Sequence, residues 1–336
     1  MIKMSRSRIL VFTGKKLIGA VITIFLVMSI LFVLLHSIPG GDMVTRMHPF
    51  ASAEVKAQLR QQWGLDKPLL EQYLIYIKKV FTLDYRLVET QQIDAMDILL
   101  FFLPFTLLLF GTATVLSYII GVFLGMRLLS EKGRWRKLIS GTSIILYSVP
   151  AFILAVYFRT WFVFKYSIFP PVAVRVAGFS SLYVDESLLS VGRVDLMMAL
   201  LPGMVLPVLI LVMVGLARPL FLLRDQMTIV AEEPFVTTAR AKGLSENAVL
   251  SRHVARCALL PLLNDASINL ALIISGGILI EYVFSWPGIG TVLLLGLKTL
   301  NYPTISAGIF LLTVIMLISM IIVDVVNAYL DPRVVL

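Results

Sequence analysis

Five stretches of this chain, residues 17–38, 98–126, 138–158, 196–217 and 302–323, contain no Asp, Glu, Lys or Arg. Each reaches about 20 residues, which at a rise of 1.5 Å per residue covers the roughly 30 Å of hydrocarbon in a bilayer. Lipid offers no hydrogen-bonding partner to a bare backbone, so such segments must satisfy their own amides, and helices do that. A sixth stretch, about 262–283, carries Asp265 near its start and Glu281 near its end, where carboxylates reach an interface or a neighbouring helix. The expectation is an all-α integral membrane protein with about six transmembrane helices.

Composition agrees: 59% of the 336 residues are hydrophobic and 15% charged. Mean hydropathy is +0.93. The formal charge of +9 does not indicate nucleic acid, because the basic residues cluster beside apolar runs, as membrane flanks do. Cys257 is the only cysteine, so an intramolecular disulfide or a cysteine-rich metal site is excluded. Lys3, Arg6, Arg8, Lys15 and Lys16 precede the first apolar run, but no small-x-small cleavage pattern follows it; the run reads as an uncleaved helix.

Lys and Arg are densest in residues 1–16, 127–137 and 218–256, and sparser, mixed with acids, in 39–97 and 165–193. By the positive-inside rule both termini are expected in the cytoplasm. The expected organisation is a cytoplasmic N-terminus (1–16), a first transmembrane helix (17–38), an extracytoplasmic subdomain (39–97) with some helix of its own, a five-helix core (98–330) containing a cytoplasmic loop at 224–258, and a cytoplasmic tail (331–336). Pro104, Pro150, Pro202 and Pro207 fall inside or near spans as kinks or hinges. Gly121 and Gly125, and the doublet Gly276–Gly277, permit close backbone approach.

No G-x-x-x-x-G-K-[ST] run is present, so the chain lacks the phosphate cradle of a P-loop ATPase. His36, His48 and His253 form no H-E-x-x-H pair, and there is no G-x-S-x-G elbow. No enzyme, metal site or cofactor is expected in this chain. Apart from Asp265, Glu281 and an interfacial Arg159, the spans lack the ionisable sets typical of ion-coupled carriers.

Chemistry concentrates instead in the loop at 224–258. Glu232 and Glu233 precede Pro234, which suits a first helical turn, and Gly243 suits a C-terminal cap. A helix of about eight residues follows, and Ser245 can cap a second helix running through Arg252 and Arg256 to end before Pro261. Spacing of i, i+4 sets Phe235, Ala239 and Gly243 on one face, a docking surface or the side of a plain connecting hairpin.

The run TARAKGLSENAVLSRHVARCALLP (238–261) resembles the EAA-type coupling loop of ABC importer permeases, in the form found in the dipeptide and oligopeptide family. EYVFSWPGIG (281–290), YLDPR (329–333), PGGD (39–42) and WGLDKPLLEQYLIYI (63–77) extend the resemblance over nearly the whole chain. It is similar to the first-permease type, with the longer external region. Thr238 stands at the first position of the E-A-A triplet, and Pro234 where the pattern has Asp.

The resemblance implies a type I ABC importer permease in the cell (inner or cytoplasmic) membrane. It would form the path with a second homologous permease, and an extracytoplasmic solute-binding protein would deliver the solute. Two cytoplasmic P-loop ATPase subunits would hold ATP and Mg. Phe235, Thr238, Ala239, Arg240, Ala241, Lys242 and Gly243 would form the ATPase-coupling element. Asp265, Asn269, Gly276, Gly277, Glu281 and Trp286 are candidates for the translocation path or a gate, with interhelical packing and an aromatic anchor as alternatives. Asn264 enters the same helix. Peptides are the first substrate expectation, with short oligosaccharides or nickel complexes as alternatives. A stand-alone secondary carrier is the reading from a different class.

Overall fold

The computed structural model describes residues 6–38, 44–45, 50–86, 94–130, 133–171 and 193–330. PGGD and residues 331–333 of the YLDPR tail lie outside the described residues, as does the side chain of Asn264. Regular structure among the described residues is helical, with one isolated antiparallel bridge between Arg86 and Asp94. Segments long and apolar enough to cross a membrane are Lys16–Ser37, Ala95–Leu128, Asp195–Val230 and Tyr302–Ile322, and two bent helix pairs bring the number to as many as six.

By its contacts the chain divides into two compact units. One comprises Met1–Phe105, Arg175–Arg193 and Pro287–Leu336; the other comprises Thr106–Val174 and Val194–Trp286.

In the first unit, α1 (Arg6–Ser37) packs on the long C-terminal helix Tyr302–Leu330 and on the second of two shorter helices, α2 (Ala53–Trp63) and α3 (Leu69–Thr82). Ser52 caps α2 at its amino end, and Gly64, with φ of 69°, closes it in the left-handed conformation. Phe32 of α1 meets the rings of Tyr73 and Tyr76 at 5.3 Å each, and the Ser29 and Tyr73 hydroxyls lie 2.7 Å apart. The part of 39–97 that forms α3 thus leans on α1 and on the C-terminal helix. Lys16 pairs with Asp324 at 2.7 Å, bringing the start of the first span beside the end of the last.

The second unit begins within α4 (Ala95–Ser130) and continues through α5 (Arg134–Ser148), α6 (Ala151–Phe158), α7 (Arg193–Gly215), α8 (Ala217–Val230), α9 (Pro234–Ala241), α10 (Ala255–Gly276) and α11 (Ile278–Phe284). The span expected at 138–158, with Pro150 as a kink or hinge, belongs to a helix pair, Arg134–Ser148 and Ala151–Lys165, bent by 94°. Pro150 lacks an amide donor and crowds the preceding turn; Val149 takes extended angles, φ −87° and ψ 127°. A π-helical turn, Arg159–Lys165, follows α6. The span expected to end at residue 217 continues as helix to Val230. Its candidate segment is 36 residues long, so it stretches about 50 Å and must project well past the hydrocarbon.

The pair Gly121 and Gly125 is used for close packing. A β-carbon on Gly121 would stand 2.6 Å from Pro219 Cγ and 2.9 Å from the Leu216 carbonyl oxygen; on Gly125 it would stand 3.1 Å from the Leu220 oxygen. Small side chains thus let α4 lie against the backbone of α8. Gly121→Val should lower the midpoint of thermal unfolding in detergent, with a loss of about 2 kcal/mol. An unchanged midpoint would mean that this contact is not close in the folded protein.

After α11 the first unit resumes with α12 (Ile289–Thr299), which lies between the expected spans 262–283 and 302–323, and α13 (Tyr302–Leu330). Between them Leu300 takes φ of 56°, and the Asn301 side chain accepts from the Thr304 amide at 3.0 Å, starting α13.

Candidate functional site

Glu233, in extended conformation, precedes Pro234, whose missing amide falls where a helix has no use for one. The eight-residue α9 ends at Ala241; the Gly243 amide donates to the Arg240 carbonyl at 3.0 Å, and Gly243 adopts φ of 78°. Ser245 then caps the next turn by accepting from the Ala248 amide.

This second helix does not stop before Pro261. It passes through a π-helical stretch, Val249–Val254, into α10, which carries Pro261 inside it. Ala258 and Leu262, on either side of the proline, are buried in a core with Leu223, Met227, Val236, Ala239, Val249, Val254 and Ala255. That packing holds the helix where local propensity would break it.

The same core reverses part of the expected docking face. Val236 and Ala239 point inward, at 0% and 6% exposure, whereas Phe235, Thr238, Arg240, Ala241, Lys242 and Gly243 are exposed. Phe235, Thr238 and Lys242, spaced i, i+3 and i+7, form the outward stripe, and Ala239 is the anchor beneath it. The Arg240 guanidinium donates to Glu246 at 2.9 Å and 3.2 Å, bridging the turn around Gly243. That hydrogen bond holds the Glu246 carboxyl below its usual range; the bridge is complete at neutral pH and is lost as pH falls through the lowered value. Lys242 is left facing outward, with Leu244 beside it, 42% exposed.

Further along α10, Asp265 accepts from Arg218 of α8 through Nε, 2.9 Å to each carboxylate oxygen, and through Nη2 at 2.6 Å. The Tyr118 hydroxyl of α4 donates to the same carboxylate. Asn269, one turn on, approaches that hydroxyl as well. Asp265 and Asn269 thus share a face as expected, and that face is turned to neighbouring helices. Arg218 and Tyr118 are partners that the sequence reading did not name. A lone arginine following one span and a lone aspartate opening another were the signal.

Gly276 closes α10, and Gly277 (φ −84°, ψ 0°) separates it from α11, so the predicted span 262–283 is broken. Glu281 is 1% exposed and accepts from the Thr106 hydroxyl at 2.7 Å; Trp286 is fully buried. Both side chains are shielded within this chain. Both brace the end of α11 from within. Among the described residues no three His, Cys, Asp or Glu side chains gather as a metal site.

Residues 117–336 match a family model described as "Binding-protein-dependent transport system inner membrane component". Residues 9–111 match "Binding-prot-dependent transport system membrane comp, N-term". Similar curated proteins include the glutathione transport system permease protein GsiC of Escherichia coli (strain K12) and its counterparts in Shigella flexneri serotype 5b (strain 8401) and Shigella boydii serotype 4 (strain Sb227). Each is 30% identical over 322 residues, covering 95% of this chain and 97% of the relative.

Proposed function

Because this chain belongs to the family of binding-protein-dependent transport system inner membrane components, a multi-pass permease of an ABC importer, we propose that it forms a path for short peptides with a second, related permease. The observation that carries the proposal is α9: an eight-residue helix anchored by Val236 and Ala239 while Phe235, Thr238 and Lys242 face outward. Such a helix suits a groove on a cytoplasmic ATPase, with Phe235 as an apolar anchor and Lys242 against an acidic rim. Phe235, Thr238, Ala239, Arg240, Ala241, Lys242 and Gly243 then form the coupling element. Two P-loop ATPases supply ATP and Mg, and closure around ATP draws two such helices together, switching the side to which the path opens.

Peptide as substrate class is supported by the printed name of the relatives, glutathione being a tripeptide. An external solute-binding protein fits the family's description. Cytoplasmic placement of both termini is supported by the density of Lys and Arg at 1–16, 127–137 and 218–256, and the Lys16–Asp324 pair puts the ends of the first and last helices on one side. In this reading Asp265, Asn269, Gly276, Gly277, Glu281 and Trp286 shape the moving helices around the path.

A tagged copy of the chain, gently solubilised from native membranes, should co-purify with a second permease and two P-loop ATPases. Recovery of the chain alone, free of ATPase activity, would overturn the proposal.

A further inference from the structure

Force applied at α9 must reach the membrane spans through whatever ties the loop to them. The apolar core of Leu223, Met227, Val236, Ala239, Val254 and Ala258 joins α8, α9 and the start of α10 into one body. At the membrane end of that body stands a bidentate ion pair, Arg218 with Asp265, and the Tyr118 hydroxyl extends it to α4. Asp265 is only 14% exposed at its side chain, and Arg218 is 39% exposed. Asp265 is the shielded partner, and parting the pair would leave its charge uncompensated, so the pair resists separation. Gly121 and Gly125 set α4 against α8 beside it, so apolar and polar contacts fasten the same three helices.

We propose that Arg218, Asp265 and Tyr118 form a positioning clamp that carries the movement of α9 into α4 and α10, an inference resting on α9 as the seat of an ATPase subunit. Their task is mechanical: the planar guanidinium fixes the relative rotation of α8 and α10 through two parallel hydrogen bonds. The tyrosine adds α4 to the moving body. With the clamp intact, displacement of α9 moves the spans as a unit; without it, α8 and α10 slip and ATP is hydrolysed without transport.

The test uses the complete importer, with its partner permease, ATPases and binding protein, reconstituted in vesicles. Asp265→Asn keeps the shape of the side chain and an acceptor for Tyr118 but removes the charge. It should co-purify with undiminished ATPase subunits and hydrolyse ATP, while peptide uptake per ATP hydrolysed falls about tenfold. Tyr118→Phe, which removes only the hydroxyl, should fall by less. The exchange Arg218→Asp with Asp265→Arg should recover most of the lost coupling. Unchanged uptake per ATP in Asp265→Asn would overturn the clamp, as would a proportional fall in hydrolysis and uptake together, the mark of a merely unstable protein. Absence of ATPase subunits from the unaltered complex would instead overturn the reading of α9.

Discussion

Replacing Gly277 with alanine should sharply reduce the amount of folded protein recovered from membranes, and replacing Phe110 as well should restore a large part of it. A β-carbon on Gly277 would stand 2.0 Å from Phe110 Cζ and 2.3 Å from Cε1. Phe110 is itself 1% exposed, so the ring has nowhere to turn. The backbone angles of Gly277 are open to any residue, so the effect is purely one of packing. Overpacking of this kind costs about 3 kcal/mol. The double variant Gly277→Ala with Phe110→Ala exchanges a clash for a cavity, and a thermal-unfolding cycle of the four proteins should give a large favourable coupling. Additive losses would show that the glycine matters for some reason other than this ring.

Gly243→Asp should leave the chain folded and membrane-inserted but reduce uptake to below about a tenth of the unaltered level. Gly243 has φ of 78° with open space where a β-carbon would go, so the backbone penalty is about 1 kcal/mol and Asp is among the residues that tolerate the conformation. The damage comes from placing a negative charge beside Lys242, on the stripe proposed to meet an acidic rim. Gly243→Asn, equal in size and uncharged, should keep the larger part of uptake. Equal losses in both variants would assign the effect to backbone strain, and wild-type uptake in Gly243→Asp would remove α9 from the coupling role.

What could be read from the sequence follows from which forces act locally. Helical membrane spans were legible because hydrocarbon leaves the backbone no other arrangement: the apolar run at 302–323 lies within α13, and that at 17–38 passes the end of α1 by one residue. The short helix after Pro234 was legible because Glu233, Pro234 and Gly243 are local punctuation. Its orientation was not. Whether Ala239 or Phe235 faces out depends on Leu223, Met227 and Ala258, which arrive from other helices, and the i, i+4 rule alone has no knowledge of them. Pro150 and Pro261 carry the same lesson in opposite senses. Both sit in apolar stretches, yet one ends a helix and turns the next by 94° while the other is absorbed, because buried neighbours hold only the second. The ion pair of Arg218 with Asp265 spans 47 positions in sequence, and pairing at that range is set by tertiary packing.

In the proposed importer, energy enters through separate ATPases rather than through an ion gradient. The decisive measurement is uptake of a radiolabelled short peptide, glutathione first, into vesicles reconstituted with this chain, its partner permease and the ATPases, with the binding protein supplied outside. Uptake should require ATP on the ATPase side, require the binding protein and be indifferent to collapse of ion gradients, as entry of energy through the ATPases demands. Gradient-driven uptake by vesicles holding this chain alone would contradict it.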